Sequence, residues 1–369
     1  MKFKTNRDSL LRVLAVAQEI ISNKSLVSIL SNVYFKADKN ENKVYVKCTN
    51  STFKAITSIA ADVEEDGETT VYCDKLTNIV SALPIGDILF ESTDLEMVVK
   101  PVDKKVKFKL KMLASDKFPV INGFKEDGAI KVEACDFRWL IKQTIFAVST
   151  NTNRYMMTGC YLCKKDNLLT MVATDGNRMS TCNCPVNAEI KAAIIPAKIL
   201  SIIEKLCDSE GFIEINTSEK EFFFKGFGFE LSSSLIDAQY PKWEKVLPEG
   251  LDHSITVSKT ELADAIKRMM IMSDKEGRIQ LAAEQNRVVV SSPEMEMGNF
   301  KEELAAKYDG AKIEIAMNVM YLSDVLKVIN TDDICIDFKV SDENTVKSAI
   351  VIRPADTNAD YTHIIMPMH

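Results

Sequence analysis

Histidine is scarce in this chain of 369 residues, which contains only His253, His363 and His369. None of the three lies in the turn or strand context that a catalytic triad needs, and isolated histidines are more often solvated or structural. The sequence also lacks a glycine-rich loop ending in Gly-Lys-Ser or Gly-Lys-Thr, the usual signal for phosphate binding. We therefore predict no catalytic residue, no metal and no cofactor.

Cysteine and long apolar runs are also limited. The nine cysteines are too few and too scattered for a disulfide scaffold, and their number is odd. They favour a reducing cytoplasm. No stretch approaches the length of a membrane span. The first 20 residues imitate a secretion signal, but Asp8 and Arg12 interrupt the apolar run, so we predict an amphipathic helix there.

The formal net charge is −7, while 46% of the residues are hydrophobic. The acidic total argues against a protein coated with nucleic acid, although it leaves room for a local basic face. The length and the apolar content allow two or three domains, each with its own core.

An internal repeat organises the chain. The first apolar residues of three short predicted helices, Leu76, Ile199 and Leu322, follow one another at intervals of 123 residues (76 to 199 to 322). Each copy has the order strand, long helix, strands, short helix, strands, and the third long helix opens with a capping box at residues 258–261. Three copies of one unit are the simplest interpretation.

The predicted fold class is therefore α+β, with three repeated domains at residues 1–126, 127–252 and 253–369. In each domain, two helices pack on antiparallel sheet. Such an array, joined through sheet edges, either closes into a ring or leaves an edge exposed.

Two stretches point to a binding groove. The segment 173–179 (Ala-Thr-Asp-Gly-Asn-Arg-Met) has the turn chemistry of a hairpin corner between antiparallel strands. The C-terminal residues 364–369 form an apolar, polarisable tail on an acidic chain. We expect the corner and the tail to line one groove.

Four central cysteines offer a different hypothesis. Cys160, Cys163, Cys182 and Cys184 resemble the spacing of a zinc cluster, which would make the chain a zinc-dependent nucleic-acid enzyme. Both pairs lie in strand-like runs, and Cys160 and Cys163 would point to opposite faces of a regular strand. The sequence therefore favours a chain without zinc, with the enzyme as the alternative.

Basic residues recur on the predicted helices and make those helices candidates for a cationic face. An amphipathic helix needs a polar face in any case, so the pattern does not establish DNA binding by itself. They are Arg7, Arg12, Lys75, Arg138, Lys142, Lys198, Lys205, Lys267, Arg268 and Lys327.

Taken in order, short segments along nearly the whole chain resemble the bacterial sliding clamp family, the beta subunit of DNA polymerase III. The segments are Ser28-Ile29-Leu30-Ser31-Asn32, Asp116-Lys117-Phe118-Pro119, Arg154-Tyr155 with Gly159, the corner 173–179, Tyr240-Pro241 with Val246-Leu247-Pro248, and Met366-Pro367-Met368.

The resemblance implies a DNA clamp fold in which two chains form a six-domain, head-to-tail homodimeric ring around duplex DNA. Such a ring is a non-catalytic, cytoplasmic processivity factor. Its expected partners are double-stranded DNA, which it binds without sequence preference, the catalytic subunit of DNA polymerase III, the clamp loader and other proteins with a clamp-binding motif. No membrane partner is expected.

The resemblance also implies three sets of site residues. The DNA-binding set is Lys24, Asn151, Tyr155 and Met156. Where the family commonly has a basic residue, this chain has Asp74 beside Lys75, which puts that DNA contact in doubt. The dimer interface is Phe108 and Leu110 on one chain against Ile271 and Met272 on the other, and ordinary core packing is the alternative for Phe108.

The third set is a groove for partner peptides. Its soft, mostly apolar residues suit short linear peptides with Leu or Phe anchors. The tail departs from the basic ending common in the family by stopping at His369. The groove residues are Met157, Thr174, Gly176, Asn177, Arg178, Met179, Pro241, Val246, Ile364, Met366, Pro367 and Met368.

Overall fold

The structure is a computed structural model. It describes residues 1–21, 28–93, 95–208, 210–272, 276–294, 298–341, 346–355 and 359–368. In these residues every predicted repeat contains one long and one short helix. The α-helices are α1 (Arg7–Ile20), α2 (Cys73–Ala82), α3 (Ala134–Thr144), α4 (Ala197–Leu206), α5 (Lys259–Met269) and α6 (Val319–Val328).

Helices α1 and α5 begin directly after polar residues that cap them. The side chain of Asn6 accepts hydrogen bonds from the backbone N–H groups of Asp8 and Ser9, at 2.9 and 3.2 Å. Ser258, the first residue of the predicted capping box, accepts from the N–H of Glu261. A cap of this kind stabilises a helix by about 1 kcal/mol, because it satisfies N–H groups that have no partner inside the helix.

The strands repeat in the same order in all three parts of the chain. Those of the first repeat are β1 (Lys2–Asn6), β2 (Asn32–Asp38), β3 (Lys43–Thr49), β4 (Phe53–Ala60), β5 (Asp62–Glu65), β6 (Gly67–Tyr72), β7 (Asp87–Ser92), β8 (Glu96–Pro101) and β9 (Phe108–Leu113). Those of the second are β10 (Ile130–Glu133), β11 (Gly159–Lys165), β12 (Leu168–Thr174), β13 (Arg178–Pro185), β14 (Ala193–Pro196), β15 (Phe212–Thr217), β16 (Glu221–Gly226) and β17 (Phe229–Ser234). Those of the third are β18 (His253–Ser258), β19 (Arg278–Glu284), β20 (Arg287–Ser291), β21 (Lys301–Lys307), β22 (Ile313–Asn318), β23 (Asp333–Phe338), β24 (Ile350–Pro354) and β25 (Tyr361–Ile365).

The chain divides into two compact units, each with one sheet. The first unit is Met1–Cys135, Ala188–Lys191 and Lys198–Leu235. Its 13-stranded sheet has the order β10-β15-β16-β17-β4-β3-β2-β6-β9-β8-β7-β1-β5. The stacked rings of Phe3, Phe90 and Phe35 lie in its core.

The second unit is Asp136–Asn187, Ala192–Ala197 and Ile236–His369. Its 12-stranded sheet has the order β14-β11-β12-β13-β25-β24-β23-β18-β21-β20-β19-β22. The paired strands of both sheets are antiparallel, as the alternating patterns predicted. The second repeat therefore contributes strands to both sheets.

Neighbouring repeats are joined by the same pair of strands in both units. In the first, β17 pairs with β4, so that Ser232 lies opposite Lys54. In the second, β25 pairs with β13, so that Ile364 lies opposite Met179. We call these pairings the first junction and the second junction. The predicted joining of modules through sheet edges is thus present twice in one chain.

Candidate functional site

The predicted corner between β12 and β13 is a hairpin in the structure. Asp175 Oδ1 accepts hydrogen bonds from the N–H groups of Asn177 (2.9 Å) and Arg178 (3.0 Å). Thr174 Oγ1 donates to the carbonyl oxygen of Arg178 and accepts from the N–H of Gly176. Local hydrogen bonds of this kind fix the corner without help from distant residues.

Gly176 cannot be replaced freely at this corner. Its φ is +93°, a conformation that L side chains rarely adopt. A Cβ atom there would lie 2.6 Å from Nη1 of Arg154, and that same guanidinium donates to the carbonyl oxygen of Asp175 at 2.9 Å. The glycine therefore lets an arginine pack against the turn.

Behind the corner, the structure forms an apolar cavity of about 130 Å³. Nine of the twelve predicted groove residues line it, and Trp243 is an additional wall. The lining residues are Met157, Thr174, Gly176, Arg178, Met179, Pro241, Trp243, Val246, Ile364 and Met366. The expected meeting of the corner with the C-terminal tail is therefore present in the structure.

The floor of the cavity belongs to a buried apolar cluster. Met179 and Ile364 are cross-strand partners at the second junction, and both are almost fully buried. Tyr240 stacks on Tyr161 with the ring centroids 5.0 Å apart, while Trp243, in a short 3-10 helix (Trp243–Val246), packs into the same cluster. Rigid aromatic rings under a flexible thioether give a cavity a firm base and an adaptable wall.

The remaining predicted groove residues hold the tail in place. The N–H of Met366 donates to the carbonyl oxygen of Asn177 at 2.9 Å, and the N–H of Met368 donates to that of Ala316 at 2.8 Å. Asn177 and Met368 are not among the cavity-lining residues, and neither is Pro367, which lies between the two anchored methionines. His369 lies outside the described residues.

Arg178 is fixed on several sides. Its Nε donates to Asp175 Oδ2 at 3.1 Å, and its Nη1 donates to Asp324 Oδ2 at 2.8 Å. The guanidinium lies 4.5 Å from the centroid of the Tyr321 ring and 5.6 Å from that of Phe146. Guanidinium groups commonly stack on aromatic faces and bind carboxylates in this way.

The second carboxylate that binds Arg178 belongs to Asp324 on helix α6. Burial raises the pKa of Asp324, but hydrogen bonds from Arg178 and Lys327 outweigh it, so the pKa lies below the ordinary value. The carboxylate is therefore ionised at neutral pH. The sequence gives no local sign of this contact, because Asp324 is 146 residues from Arg178.

A buried polar network lies on the opposite face of the second junction. His363 and Ser180 are cross-strand partners, with His363 Nδ1 3.0 Å from Ser180 Oγ and His363 Nε2 3.0 Å from Gln143 Oε1. The Gln143 amide donates to the carbonyl oxygen of Val328, which leaves its own oxygen to accept from His363. His363 therefore carries its proton on Nε2 and accepts from Ser180.

The predicted DNA-binding residues lie in or near a short 3-10 helix, Thr152–Met157. Asn151 caps it by accepting from the N–H of Asn153 at 2.9 Å. Tyr155 is 51% exposed and donates to the carbonyl oxygen of Asp237, while Met156 packs against the apolar cluster. Lys24 lies outside the described residues.

Several of the basic helix residues already have partners. Arg7 donates to the carbonyl oxygens of Val80 and Ser81 at the end of α2. Arg268 binds both oxygens of Glu302, and Lys267 binds Asp264. The cationic face that the sequence suggests is therefore partly neutralised within the chain itself.

The predicted interface residues are only partly covered in the single chain. Phe108 and Leu110 lie on the same face of β9, which is half-buried rather than part of the core. Ile271 is 81% exposed, and Met272 is half-buried. The alternation along β9 was predicted, but full burial of its apolar face does not occur within one chain.

The structure and the comparisons do not support the zinc hypothesis for the four central cysteines. Within the described ranges, no group of three potential metal ligands includes Cys160, Cys163, Cys182 or Cys184. Burial raises the pKa of Cys160 and Cys182 to about 12 and that of Cys163 to about 11. Cys160 is buried while Cys163 is only half-buried, in line with their opposite directions on β11.

Solved structures of sliding clamps share this fold. The chain superposes on the sliding clamp (DNA polymerase III subunit beta) from Pseudomonas aeruginosa bound to griselimycin with a TM-score of 0.92 and 25% identity, over 100% of this chain and 99% of the other. It superposes equally well, with the same TM-score, identity and coverage, on the griselimycin-bound clamp from Bartonella birtlesii. The fold and its repeats thus define a protein of the sliding clamp class, as expected.

Family comparisons give the particular family. The chain matches the profiles of the DNA polymerase III beta subunit for the N-terminal domain at residues 1–122, the central domain at 131–242 and the C-terminal domain at 244–369. It therefore belongs to the DNA polymerase III beta subunit family.

Curated relatives carry the same assignment. The "Beta sliding clamp" of Treponema pallidum is 33% identical over an alignment of 377 positions, which covers 100% of this chain and 99% of the relative. That of Pseudomonas putida is 29% identical over the full length of both. The predicted function as a DNA sliding clamp is confirmed. None of the helices in the described ranges is long and apolar enough to cross a membrane.

Proposed function

We propose that two copies of this chain close head to tail into a ring around duplex DNA and tether the replicative polymerase to it. In this proposal the chain is a non-catalytic, cytoplasmic subunit, and its domains end near residues 126 and 252. Its affinity for DNA is independent of sequence, because a closed ring needs only weak phosphate contacts and can slide along the duplex. Asn151, Tyr155 and Met156, together with Lys24, are the proposed DNA contacts.

The observation that carries the proposal is the repeated junction. Twice within the chain, the last strand of one repeat (β17 or β25) pairs with the fourth strand of the preceding repeat (β4 or β13). The same rule assigns β9, the last strand of the first repeat, to β21, the corresponding strand of the third. Since β9 and β21 lie at opposite ends of the repeat series, a second copy of the chain supplies the partner.

The edges of β9 and β21 are consistent with that pairing. Within the described residues, β9 pairs with β8 along its first part, while its pairing with β6 is limited to Met112 and Leu113. Strand β21 pairs with β20 from Lys301 to Ala305, while only its last two residues pair with β18. Free strand edges recruit further strands, and two pairs of such edges close a ring of two chains.

Side chains beside these edges support the same interface. Phe108 and Leu110 on β9 are half-buried, and Ile271 is 81% exposed. Exposed apolar residues next to a free edge commonly mark a protein interface.

The apolar cavity at the second junction is the proposed site for polymerase, clamp loader and other proteins with a clamp-binding motif. A concave apolar site with few polar groups suits short peptides with Leu or Phe anchors. Two griselimycin-bound clamps are among the similar structures. The thioethers of Met179 and Met366 can repack around different anchors, so different partners can compete for one site.

The ring predicts retention that depends on DNA topology. The protein is loaded by a clamp loader onto a nicked circular plasmid, separated from free protein by gel filtration at high salt, and the plasmid is then cut once. We expect the protein to remain on the circle and to leave after the cut, because only a closed ring senses DNA ends. Equal retention before and after the cut would refute the ring.

Variants at the interface separate the ring from other modes of binding. Ile271→Glu is expected to weaken dimerisation roughly 100-fold or more, since it buries a charge in an apolar contact, and to abolish retention. Val120→Glu is the matched control, because Val120 is 91% exposed and lies outside the proposed interface. Native mass measurement should give monomer for the first variant and dimer for the second.

A further inference from the structure

The arginine in the wall of the cavity has its charge balanced by neighbouring residues. Arg178 lines the cavity, yet it is only 12% exposed and is bound by Asp175 and Asp324, whose side chains are 14% and 24% exposed. Asp324 is in turn bound by Lys327 at 2.9 Å. Two cations and two anions form one connected group.

We propose that Asp324 sets the specificity of the cavity for peptides that are uncharged where they face Arg178. The inference rests on the proposed peptide-binding function. Because two carboxylates already balance the group, Arg178 offers a neutral carbonyl or amide oxygen a directed N–H donor, while offering a carboxylate no net charge. An acidic side chain at that place loses hydration and gains little attraction.

The geometry gives Asp324 this role rather than a general structural one. It approaches Arg178 from helix α6, while Asp175 approaches from the corner itself. The two carboxylates and the stacked ring of Tyr321, 4.5 Å away, hold the guanidinium in one orientation. A guanidinium held in this way presents its remaining N–H groups in a fixed direction, which favours discrimination by geometry over discrimination by charge.

The net charge of the four side chains predicts the direction in which each variant should change peptide preference. With Arg178, Lys327, Asp175 and Asp324 the group is neutral. Asp324→Asn gives it one net positive charge with almost no change in shape. Lys327→Met gives it one net negative charge. The two variants should therefore move the preference for acidic peptides in opposite directions.

The test uses two amidated, acetylated peptides with the same Leu and Phe anchors. At one position the first peptide has glutamine and the second has glutamate, and further pairs place this exchange at each of the other positions in turn. Binding of every peptide to the full-length protein is measured by fluorescence anisotropy. For the wild type, we expect the glutamate peptide to bind no better than the glutamine peptide at the position facing Arg178. Asp324→Asn should shift the ratio of the two affinities roughly tenfold toward glutamate, and Lys327→Met should shift it away from glutamate.

Salt dependence separates charge from shape. The shift caused by Asp324→Asn should be larger at about 50 mM than at about 500 mM salt, because mobile ions screen a partly exposed charge. Arg154 lies exposed beside Gly176 and attracts acidic peptides in wild type and variant alike. For that reason the ratio between variants, and not the absolute affinity, is the deciding measurement.

Asp264→Asn is the matched control, because Asp264 binds Lys267 on α5 with the same i,i+3 spacing as Asp324 and Lys327 on α6. It should leave both affinities unchanged. A ratio unaffected by Asp324→Asn at every scanned position, or an equal loss for both peptides, would overturn the role of Asp324. Absence of binding by the wild type to either peptide would instead overturn the proposed peptide-binding function.

Discussion

The first and second junctions share one backbone arrangement and differ in their side chains. At both, a polar side chain after a hairpin strand caps the turn: Asn50 Oδ1 accepts from the N–H of Phe53 at 2.8 Å, and Asp175 Oδ1 accepts from that of Arg178 at 3.0 Å. The residues that follow, Lys54 and Met179, are therefore equivalent. A repeated aromatic pair accompanies them, Tyr34 with Phe118 and Tyr161 with Tyr240.

The clefts beside these junctions have opposite characters. In the first, Ile121 and Phe124, from the segment between β9 and β10, line the cleft and leave no space for a water molecule. Lys54 also lines this cleft and forms an ion pair with Glu221. In the second, Met179 replaces the lysine, and a cavity of about 130 Å³ remains open.

This difference shows that the repeat supplies the scaffold while a few side chains make a site of it. Antiparallel pairing at a junction creates a concavity in both places. An apolar floor with soft walls makes one concavity suitable for a ligand, whereas a lysine and an aromatic residue, Phe124, line the other and leave it filled. We therefore expect the junctions to be partly interchangeable by mutation.

The largest predicted effect comes from giving the second junction the residues of the first. The double variant Met179→Lys, Ile364→Ser copies Lys54 and Ser232, which lie opposite each other at the first junction. It places a charge in an apolar floor and removes two anchor contacts, so we expect binding of a Leu/Phe-anchored peptide to weaken at least roughly 100-fold, or about 3 kcal/mol. Isothermal titration measures the loss.

The reverse exchange is the control for that prediction. Lys54→Met, Ser232→Ile gives the first junction an apolar floor but keeps Phe124 in place, so it should create no peptide site. A second binding site in this variant would show that the lysine alone closes the first cleft. Peptide binding that survives in the Met179→Lys, Ile364→Ser variant would remove the second junction from the proposed site.

Local features of the fold could be predicted from the sequence alone. The hairpin corner at Asp175 and the cap at Ser258 depend on hydrogen bonds between residues two or three positions apart, and the repeat depends on spacing along the chain. Such features are visible in a single sequence because the interacting groups are neighbours.

Features that depend on distant pairing could not be predicted in the same way. Trp243 enters the cavity wall because the short 3-10 helix Trp243–Val246 packs onto the second junction, although its position three residues after Tyr240 was a signal in the sequence. Asp324 meets Arg178 only when α6 and β13 are brought together. Phe108 was expected to face inward from its alternation with lysines, but alternation does not tell whether the apolar face is covered by the same chain or by another.

The buried faces of the two junctions provide a second test of the comparison. Ala55 and Leu231 lie opposite each other at the first, and Ser180 and His363 at the second. His363→Leu leaves the buried Ser180 hydroxyl and the buried Gln143 Oε1 without the partner that His363 supplies, which we expect to lower the free energy of unfolding by about 2.5 kcal/mol. Adding Ser180→Ala, to copy the first junction, should recover about 1 kcal/mol. Chemical denaturation measures both values, and a stability equal to wild type for His363→Leu would mean that the network contributes nothing.

The smallest effect is a pH dependence that only the second junction should have. Burial lowers the pKa of His363 from 6.5 to about 3, so between these values the unfolded chain binds a proton that the folded chain does not. The contribution of His363 to the free energy of unfolding is therefore complete above pH 6.5. It decreases as the pH falls and is about 2 kcal/mol smaller at pH 5. His363→Leu lacks this loss, so the difference in unfolding free energy between wild type and variant should narrow by that amount from pH 7.5 to pH 5. Other titrating groups cancel in the difference, and parallel curves for the two proteins would mean that His363 has an ordinary pKa and is reached by water at the second junction.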